Sequence, residues 1–439
     1  MDISPNRRPR QAAVAFIFIT IVIDMMTFGI AMPVLPRLIE DFRHGDTQQA
    51  AHIYGVLTAI WALMQFIASP IQGALSDRFG RRPVILASNF GLAFQFVILA
   101  VAPNLAWVFV GRALSGVTSS SIATANAYIA DVTPPELRAQ RYGLMGMAFG
   151  IGFIMGPAIG GLLGEHDPRL PFWVAAACSF LNACYGIFVL PESLAPENRA
   201  AFSWRRANPV GSLDLLRMYP ALLSLSGVQF LYVFSQSVFP SVLVLYLGYR
   251  YHWGAGQIGL TFALVGLLSV LGQGLLIRPA LRRWGERNVL LAGLAAGVVS
   301  FSLSGWAPQG FIFLAAIPIT SVWQWAQPAN QALMTSYVLP HQQGRLQGAI
   351  ASLGGISAFI GPLAFTALFA HFIAPERAAV LPGAPFYLAA ALMVAAFAAA
   401  WRYAHKPPAD AVPAAPPVPA APTPPSGEHL TEEITHRAP

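Results

Sequence analysis

Charge is scarce in this chain. Asp, Glu, Lys and Arg make up 10% of its 439 residues, against about 25% in an ordinary soluble domain. Lysine is nearly missing: Lys406 is the only one, and the other formally cationic side chains are arginines. A chain so poor in charge has too little polar surface to wrap a core in water, which excludes a soluble globular fold. Cysteine is also rare. Cys178 and Cys184 stand six apart on one apolar segment, poor geometry for a disulfide or a metal site, and read as packing residues. No zinc spacing, phosphate loop, dinucleotide fingerprint or nucleophile elbow occurs. Neither an enzyme, nor a cofactor, nor a metal is expected.

What is abundant is apolar surface, at 56% hydrophobic residues. A membrane-spanning helix needs roughly 20 mostly apolar residues. Twelve such runs can be placed, at 12–36, 51–72, 83–102, 105–127, 142–164, 170–190, 221–248, 256–278, 288–306, 310–335, 345–373 and 383–403. The first is too long for a signal peptide, lacks a small-residue cleavage pattern and carries Asp24 in its middle, so it reads as a retained helix. The expected fold class is all-α and integral to the membrane.

Arginine sets the orientation through the positive-inside rule. With the N-terminus in the cytoplasm, 20 of the 26 basic residues fall on cytoplasmic segments. Five, Arg37, Arg43, Arg169, Arg250 and Arg377, fall outside, and Arg112 alone lies within a helix. Both termini are therefore expected in the cytoplasm. The net charge of +7 is a topological signal and a contact with anionic lipid heads, not a nucleic-acid footprint.

The longest polar break, 191–220, divides the runs six and six. Shifting the first half by 205 residues lays Phe79-Gly80-Arg81-Arg82-Pro83-Val84 on Trp284-Gly285-Glu286-Arg287-Asn288-Val289. The same shift lays Pro135 on Pro340, Gly143 on Gly348, and Gly156-Pro157 on Gly361-Pro362. One constant offset predicts an internal duplication, with a substrate site between two rocking halves. The expected domains are a six-helix bundle over 1–190, a cytoplasmic linker over 191–220, a second bundle over 221–403 and a disordered Pro/Ala-rich tail over 404–439.

Three motifs carry chemistry. Between the second and third runs, Gly73, Leu75, Asp77, Arg78, Gly80, Arg81 and Arg82 read G-x-L-x-D-R-x-G-R-R. Gly73 permits close helix approach and Gly80 a tight turn. Asp77 suits the N-terminus of a second-half helix, and Arg81 and Arg82 can pair with an acid such as Asp131. In the fifth run Gly143, Gly152, Gly156, Pro157, Gly160 and Gly161 form a small-residue stripe for backbone-to-backbone packing. In the fourth run Arg112 and Gly116 read R-x-x-x-G. An arginine at that depth is expensive unless it faces protein or water. At about 1.5 Å per residue, Arg112 lies roughly 10 Å from the outer surface and Asp24 roughly 18 Å from the inner one. In a core about 30 Å thick the two sit at comparable depth, so direct or relayed communication is expected. Burial favours a protonated carboxyl and a nearby arginine an ionised one. Asp24 between those terms is a proton carrier, or, in the plainer reading, half of a static ion pair.

Together these motifs resemble the major facilitator superfamily, and the fifth-run stripe resembles the antiporter motif of its drug exporters. The resemblance implies two pseudo-symmetric six-helix bundles. It assigns the loop motif to locking the cytoplasmic side, and Asp24 with Arg112 to proton coupling. Asp24-Met-Met-Thr-Phe-Gly29, Pro33-Val-Leu-Pro36, Tyr128-Ile-Ala-Asp131 and Gln347-Gly348 further resemble the tetracycline-efflux subfamily. That implies exchange of a tetracycline–metal cation for a proton in a bacterial inner membrane. The subfamily's further acids fall at Gln95 and roughly Ala296 here, a departure at the very positions of its proton path. Cavity candidates by helical spacing are Ser115, Ser119 and Asn126; Gln229, Tyr232 and Gln236; and Trp323, Gln324, Gln327 and Asn330. The expected partners are a small-molecule substrate, protons and lipid, in a monomer. The rivals are an exporter of an endogenous metabolite, a proton-coupled uptake symporter, and a receptor acting through its tail.

Overall fold

The structure, a computed structural model, describes residues 7–119, 121–199, 220–339, 343–375 and 380–404. The tail beyond 404, most of the linker and Pro340 of the repeat lie outside the described residues. Among those described there are helices and no strand. The first half holds α1 (Arg7–Ala31), α2 (Leu35–Phe42), α3 (Thr47–Phe79), α4 (Arg81–Val101), α5 (Leu105–Thr118), α6 (Ser121–Val132), α7 (Pro135–His166) and α8 (Leu170–Val189). The second holds α9 (Pro220–Gln236), α10 (Val238–Tyr251), α11 (Ala255–Leu271), α12 (Ile277–Trp306), α13 (Gly310–Trp323), α14 (Ala326–Thr335), α15 (Gln343–Phe372) and α16 (Ala384–Tyr403).

Among the described residues nine stretches are long and apolar enough to cross a membrane. One of them, Ala255–Trp306, has 52 residues, about 78 Å as a single helix at 1.5 Å per residue. That is more than twice a hydrocarbon core of about 30 Å. Gly285, at φ 73° and ψ 164°, breaks it into two crossings. Two more crossings are each divided into short helices, α5 with α6 and α13 with α14. The chain is an all-α membrane protein of twelve crossings in two pseudo-symmetric bundles.

The runs 12–36, 105–127, 221–248 and 310–335 are each two helices rather than one. Pro33 follows the end of α1 and Pro36 lies in the first turn of α2, where the missing N–H of a proline costs no helical hydrogen bond. The α5–α6 break has no proline at all. There the Thr118 and Ser119 hydroxyls bond back to the Leu114 and Ser115 carbonyls, which bends a helix without leaving its polar groups bare. The breaks obey the duplication. A shift of 205 residues carries the 32–34 break onto Ser237, the Ser119 break onto Gln324, and Gly80 onto Gly285. Both of those glycines have positive φ, 106° and 73°.

Packing is that of a membrane protein turned toward lipid. Phe188, Phe311 and Leu181 stand largely exposed, while Asn89, Gln95 and Asn182 are buried. Within the first half α7 lies along α1, and α4 along α8; within the second, α16 lies along α9 and α12. The halves meet along two seams, α7 with α11 and α3 with α15. The face where α3 turns into α4 is the near face; the face of the α2–α3 loop is the far face.

Gly80 and Gly285 make a paired test. Both hold a backbone conformation that costs an L-residue about 1–3 kcal/mol. A Cβ on Gly285 would meet open space, whereas one on Gly80 would collide with the Glu192 carboxylate. Gly80→Ala should therefore lower the detergent-solubilised melting temperature more than Gly285→Ala, as read by intrinsic fluorescence.

Candidate functional site

The near-face loop is a charged knot tied within the first half. Arg81 is its centre. One guanidinium nitrogen reaches Asp77 at 2.6 Å and Nε reaches Asp131 at 3.3 Å. The same Nη1 also donates to the Ser76 hydroxyl at 2.5 Å. Asp131, at the end of α6, accepts in addition from Ser193 at 3.0 Å. Arg82 goes elsewhere, donating to the Ile187 carbonyl at 2.6 Å. Glu192 completes the knot, its two oxygens accepting the backbone N–H groups of Arg81 at 2.8 Å and Arg82 at 3.2 Å. Those are orphan donors at the start of α4, where a carboxylate is favoured by the helix dipole. Arg78 lies outside the knot, its guanidinium over Phe79 at 5.1 Å. Asp77 stays with its own half and is half-exposed.

Among the described residues, the two buried charges both belong to the first half. Asp24 of α1 and Arg112 of α5 are 7% and 8% exposed. No ion pair joins the two, and Asp24 is not among the charges that act on Arg112. Arg112 instead lies over the ring of Trp61 at 5.4 Å, a cation–π contact strengthened by loss of water. Trp61 in turn packs on Phe28 at 5.5 Å, one turn beyond Asp24 and on the same side of α1. An aromatic pair thus connects Arg112 to the turn of α1 that follows Asp24. Tyr54, an electrostatic neighbour of Arg112, donates its hydroxyl across the seam to the Pro240 carbonyl at 2.8 Å.

The α7 glycines divide between two neighbours. Any Cβ on Gly152, Gly156 or Gly160 would strike the α1 backbone at Val22, Met26 or Ile30. One on Gly161 would strike Ala255 and Gly259 of α11, in the other half. Pro157 lies within α7 and packs on Gly29. Gly73, Gly143 and Gly146, toward the near face, would meet nothing within 4 Å. The closest backbone approach between the halves thus lies toward the far face.

The cavity candidates separate by burial. Gln229, Tyr232, Trp323 and Asn330 are packed inside the second half. Tyr232 stacks on Trp323 at 4.8 Å, the Trp323 N–H meets the Met393 sulfur at 3.3 Å, and Asn330 donates to Gln229 at 3.1 Å. Ser115 is buried, and its carbonyl receives the Ser119 hydroxyl. Ser119, Asn126, Gln236, Gln324 and Gln327 are half-buried. Gln324 accepts from Gln273 at 2.9 Å and donates to Ser269 at 2.6 Å.

Comparison with known proteins decides the family. The profile of the Major Facilitator Superfamily matches residues 17–232 and 225–437, one match per half. The chain belongs to the major facilitator superfamily. This facilitator is similar to the class C tetracycline resistance protein of Escherichia coli, 39% identical over 351 residues, spanning 80% of this chain and 88% of that one. It is 36% identical to the class G tetracycline resistance protein of Vibrio anguillarum, over 82% and 91% of the two chains. Two solved structures share the fold. The human organic anion transporter MFSD10 is 24% identical with a TM-score of 0.66, over 89% of this chain and 99% of that one. A bacterial homologue of the human lysosomal transporter Spinster, inward-facing and unoccupied, is 16% identical with a TM-score of 0.71, over 91% and 98%. The facilitator is a multi-pass membrane transporter and not an enzyme.

Four residues of this facilitator's site escape sequence reasoning. Glu192 sits in a segment read as linker, although a Pro-Glu-Ser at the end of a span, on the side of two arginines, is a usable signal. Tyr54 and Trp61 are aromatics among many, with nothing in their spacing to set them apart. Gln273 stands between Gly272 and Gly274 in a π-helical turn that follows α11, a distortion frequent at functional sites. Two glycines around a glutamine within a span were the available sign.

Glu192→Ala should remove a carboxylate cap from α4 at a cost of about 0.5–2 kcal/mol. The loss should be smaller in an Arg81→Ala background, since the two side chains hold the same turn; a double-mutant cycle of melting shifts measures it.

Proposed function

We propose that this facilitator exports an amphipathic drug, tetracycline-like or of multidrug type, in exchange for protons by alternating access. The near face is taken as cytoplasmic, in a bacterial inner membrane, with 191–220 as the linker between halves. The observation that carries the reading is Asp24 buried one turn from the Phe28–Trp61–Arg112 contact, in a chain 39% identical to a tetracycline resistance protein. A carboxylate buried there can hold a proton taken from one side and lose it to the other. The Phe28–Trp61 contact joins the helix turn beside Asp24 to the buried guanidinium, so that a change at the carboxylate can be felt at Arg112. Entry of one proton supplies about 2.3 kcal/mol per 100 mV and about 1.4 kcal/mol per pH unit, enough for modest outward concentration of substrate.

The near-face knot suits a lock in its released form. With the near face parted, Asp77 is held by Arg81 in its own half. As that face closes, Asp77 becomes free to meet the N-terminus of α15, which starts there at Gln343. The glycine face of α7 supports rocking without an intervening layer of side chains. A second reading concerns the substrate. Gln95 is buried with its carbonyl oxygen unpartnered, and Ala296 is apolar. Two acids fewer in the membrane favours a drug other than the tetracycline–metal cation.

The test is a drug-susceptibility panel in a pump-deficient bacterium, with transport in everted vesicles energised by NADH. Wild-type vesicles should accumulate the exported drug. Asp24→Asn should lose at least about tenfold of that uptake while remaining in the membrane at wild-type level. Vesicles that empty instead of fill would make the protein an importer, and full activity of Asp24→Asn would end the carrier assignment. Arg81→Ala should slow turnover with little change in substrate affinity.

A further inference from the structure

The far face is held by a second set of charges, and both of its ionic members belong to the first half. Glu165 lies in the last turn of α7, where its own helix dipole disfavours a carboxylate. Its oxygen points across the seam and accepts the Gly256 N–H at 3.1 Å. Gly256 is the second residue of α11, where orphan N–H groups and the positive end of the dipole favour an anion. The cap residue of α11 is Gly254, which has no side chain of its own to do this. A Cβ on Gly256 would collide with the Glu165 carboxylate, and one on Gly254 would crowd it at 3.1 Å. The start of α11 is thus shaped to admit a carboxylate from the other half.

Arg37 of α2 is the companion. It lies in the field of Glu40, Glu165 and Asp41, and it donates to the Trp253 carbonyl at 2.6 Å. Trp253 directly precedes the cap of α11, and its indole fills the space beside Gly310 at the start of α13. Arg37 and Glu165 therefore grip one short strap, residues 253–256, from two different first-half helices. Both contacts must break before the halves can part on this side.

We propose that Arg37 and Glu165 form the outer lock of the transporter, the far-face counterpart of the knot around Arg81. They are positioning residues that set the balance between inward-facing and outward-facing states, and neither binds the substrate. The inference rests on the rocking of two halves in the function proposed above, and not on what is carried.

Spin labels on Pro103→Cys and Pro308→Cys test it in a Cys178→Ser, Cys184→Ser background. These two exposed prolines precede α5 and α13 on the far face and are related by the duplication shift. Distances are read by double electron–electron resonance in lipid nanodiscs without substrate. The parent should show mainly the short, closed distance. Glu165→Gln keeps an acceptor but loses the charge, and Arg37→Gln loses the strap; each should raise the long-distance population at least about threefold. Gly256→Ala, which displaces the carboxylate from the opposite half, should do the same. A purely structural role predicts a lower melting temperature with the distances unmoved. Parent-like distances in any variant that elutes as a single species overturn the proposal, and three independent variants ensure that one misfolded protein does not end the test. Because no substrate or gradient is present, loss of transport in Asp24→Asn has no bearing on this result.

Discussion

The contact of α7 with both α1 and α11 is the constraint on which the rest depends. Across most of its length α7 offers glycine to its neighbours, so that carbonyls of one helix lie where the Cβ atoms of the other would be. Lipid gives helices no hydrophobic drive to associate, and close packing must supply the attraction. Side chains that interdigitate would resist rolling. Glycine against backbone is tight and yet smooth, and between the halves it is closest toward the far face, where Gly161 crosses Gly259. The near-face knot and the far-face strap stand at opposite ends of the molecule, and in the proposed rocking each acts on the same motion from its own end.

Much of the fold was legible because a bilayer imposes one length on every crossing. The ends of α4, α8 and α16 follow from apolar runs and from the proline, glycine and arginine at their margins, whereas α3 runs on to Phe79, past the end of its apolar run at 72. The breaks at Ser119, Ser237 and Gln324 were not legible, because hydropathy does not register them. Ser119 and Gln324 are compatible with an unbroken helix, and the bend depends on where their side chains bond. The loop motif was legible at Arg81, which meets Asp131, the acid named for it. It was not legible at Arg82, which takes a backbone carbonyl, nor at Glu192, whose partners are main-chain N–H groups that no residue pattern announces. The cavity faces were the least readable. Helices such as α13 are apolar on nearly all sides, so periodicity does not distinguish the side of Trp323, turned into its own bundle, from the side of Gln324, turned to Ser269 and Gln273.

The duplication explains why shape is shared between the halves while chemistry is not. Backbone breaks and positive-φ glycines recur at one offset, so both halves bend at the same depths. The polar content has diverged. The copy of Asp77 is Arg282, and the second loop has lost its acid-for-arginine arrangement. A structure can keep two-fold geometry through such change because main-chain form depends on a few glycines, prolines and hydroxyls, whereas charge depends on single side chains.

Asp24 and Arg112 both ride on the first half, and the second half has no counterpart at their depth. An electric field across the bilayer therefore pulls on one half and scarcely on the other. In the proposed proton exchange, an ionised Asp24 cancels the charge of Arg112 and the pull is small, whereas a neutral Asp24 leaves one net positive charge on that half, so voltage acts on the tilt in one part of the cycle and scarcely in the other.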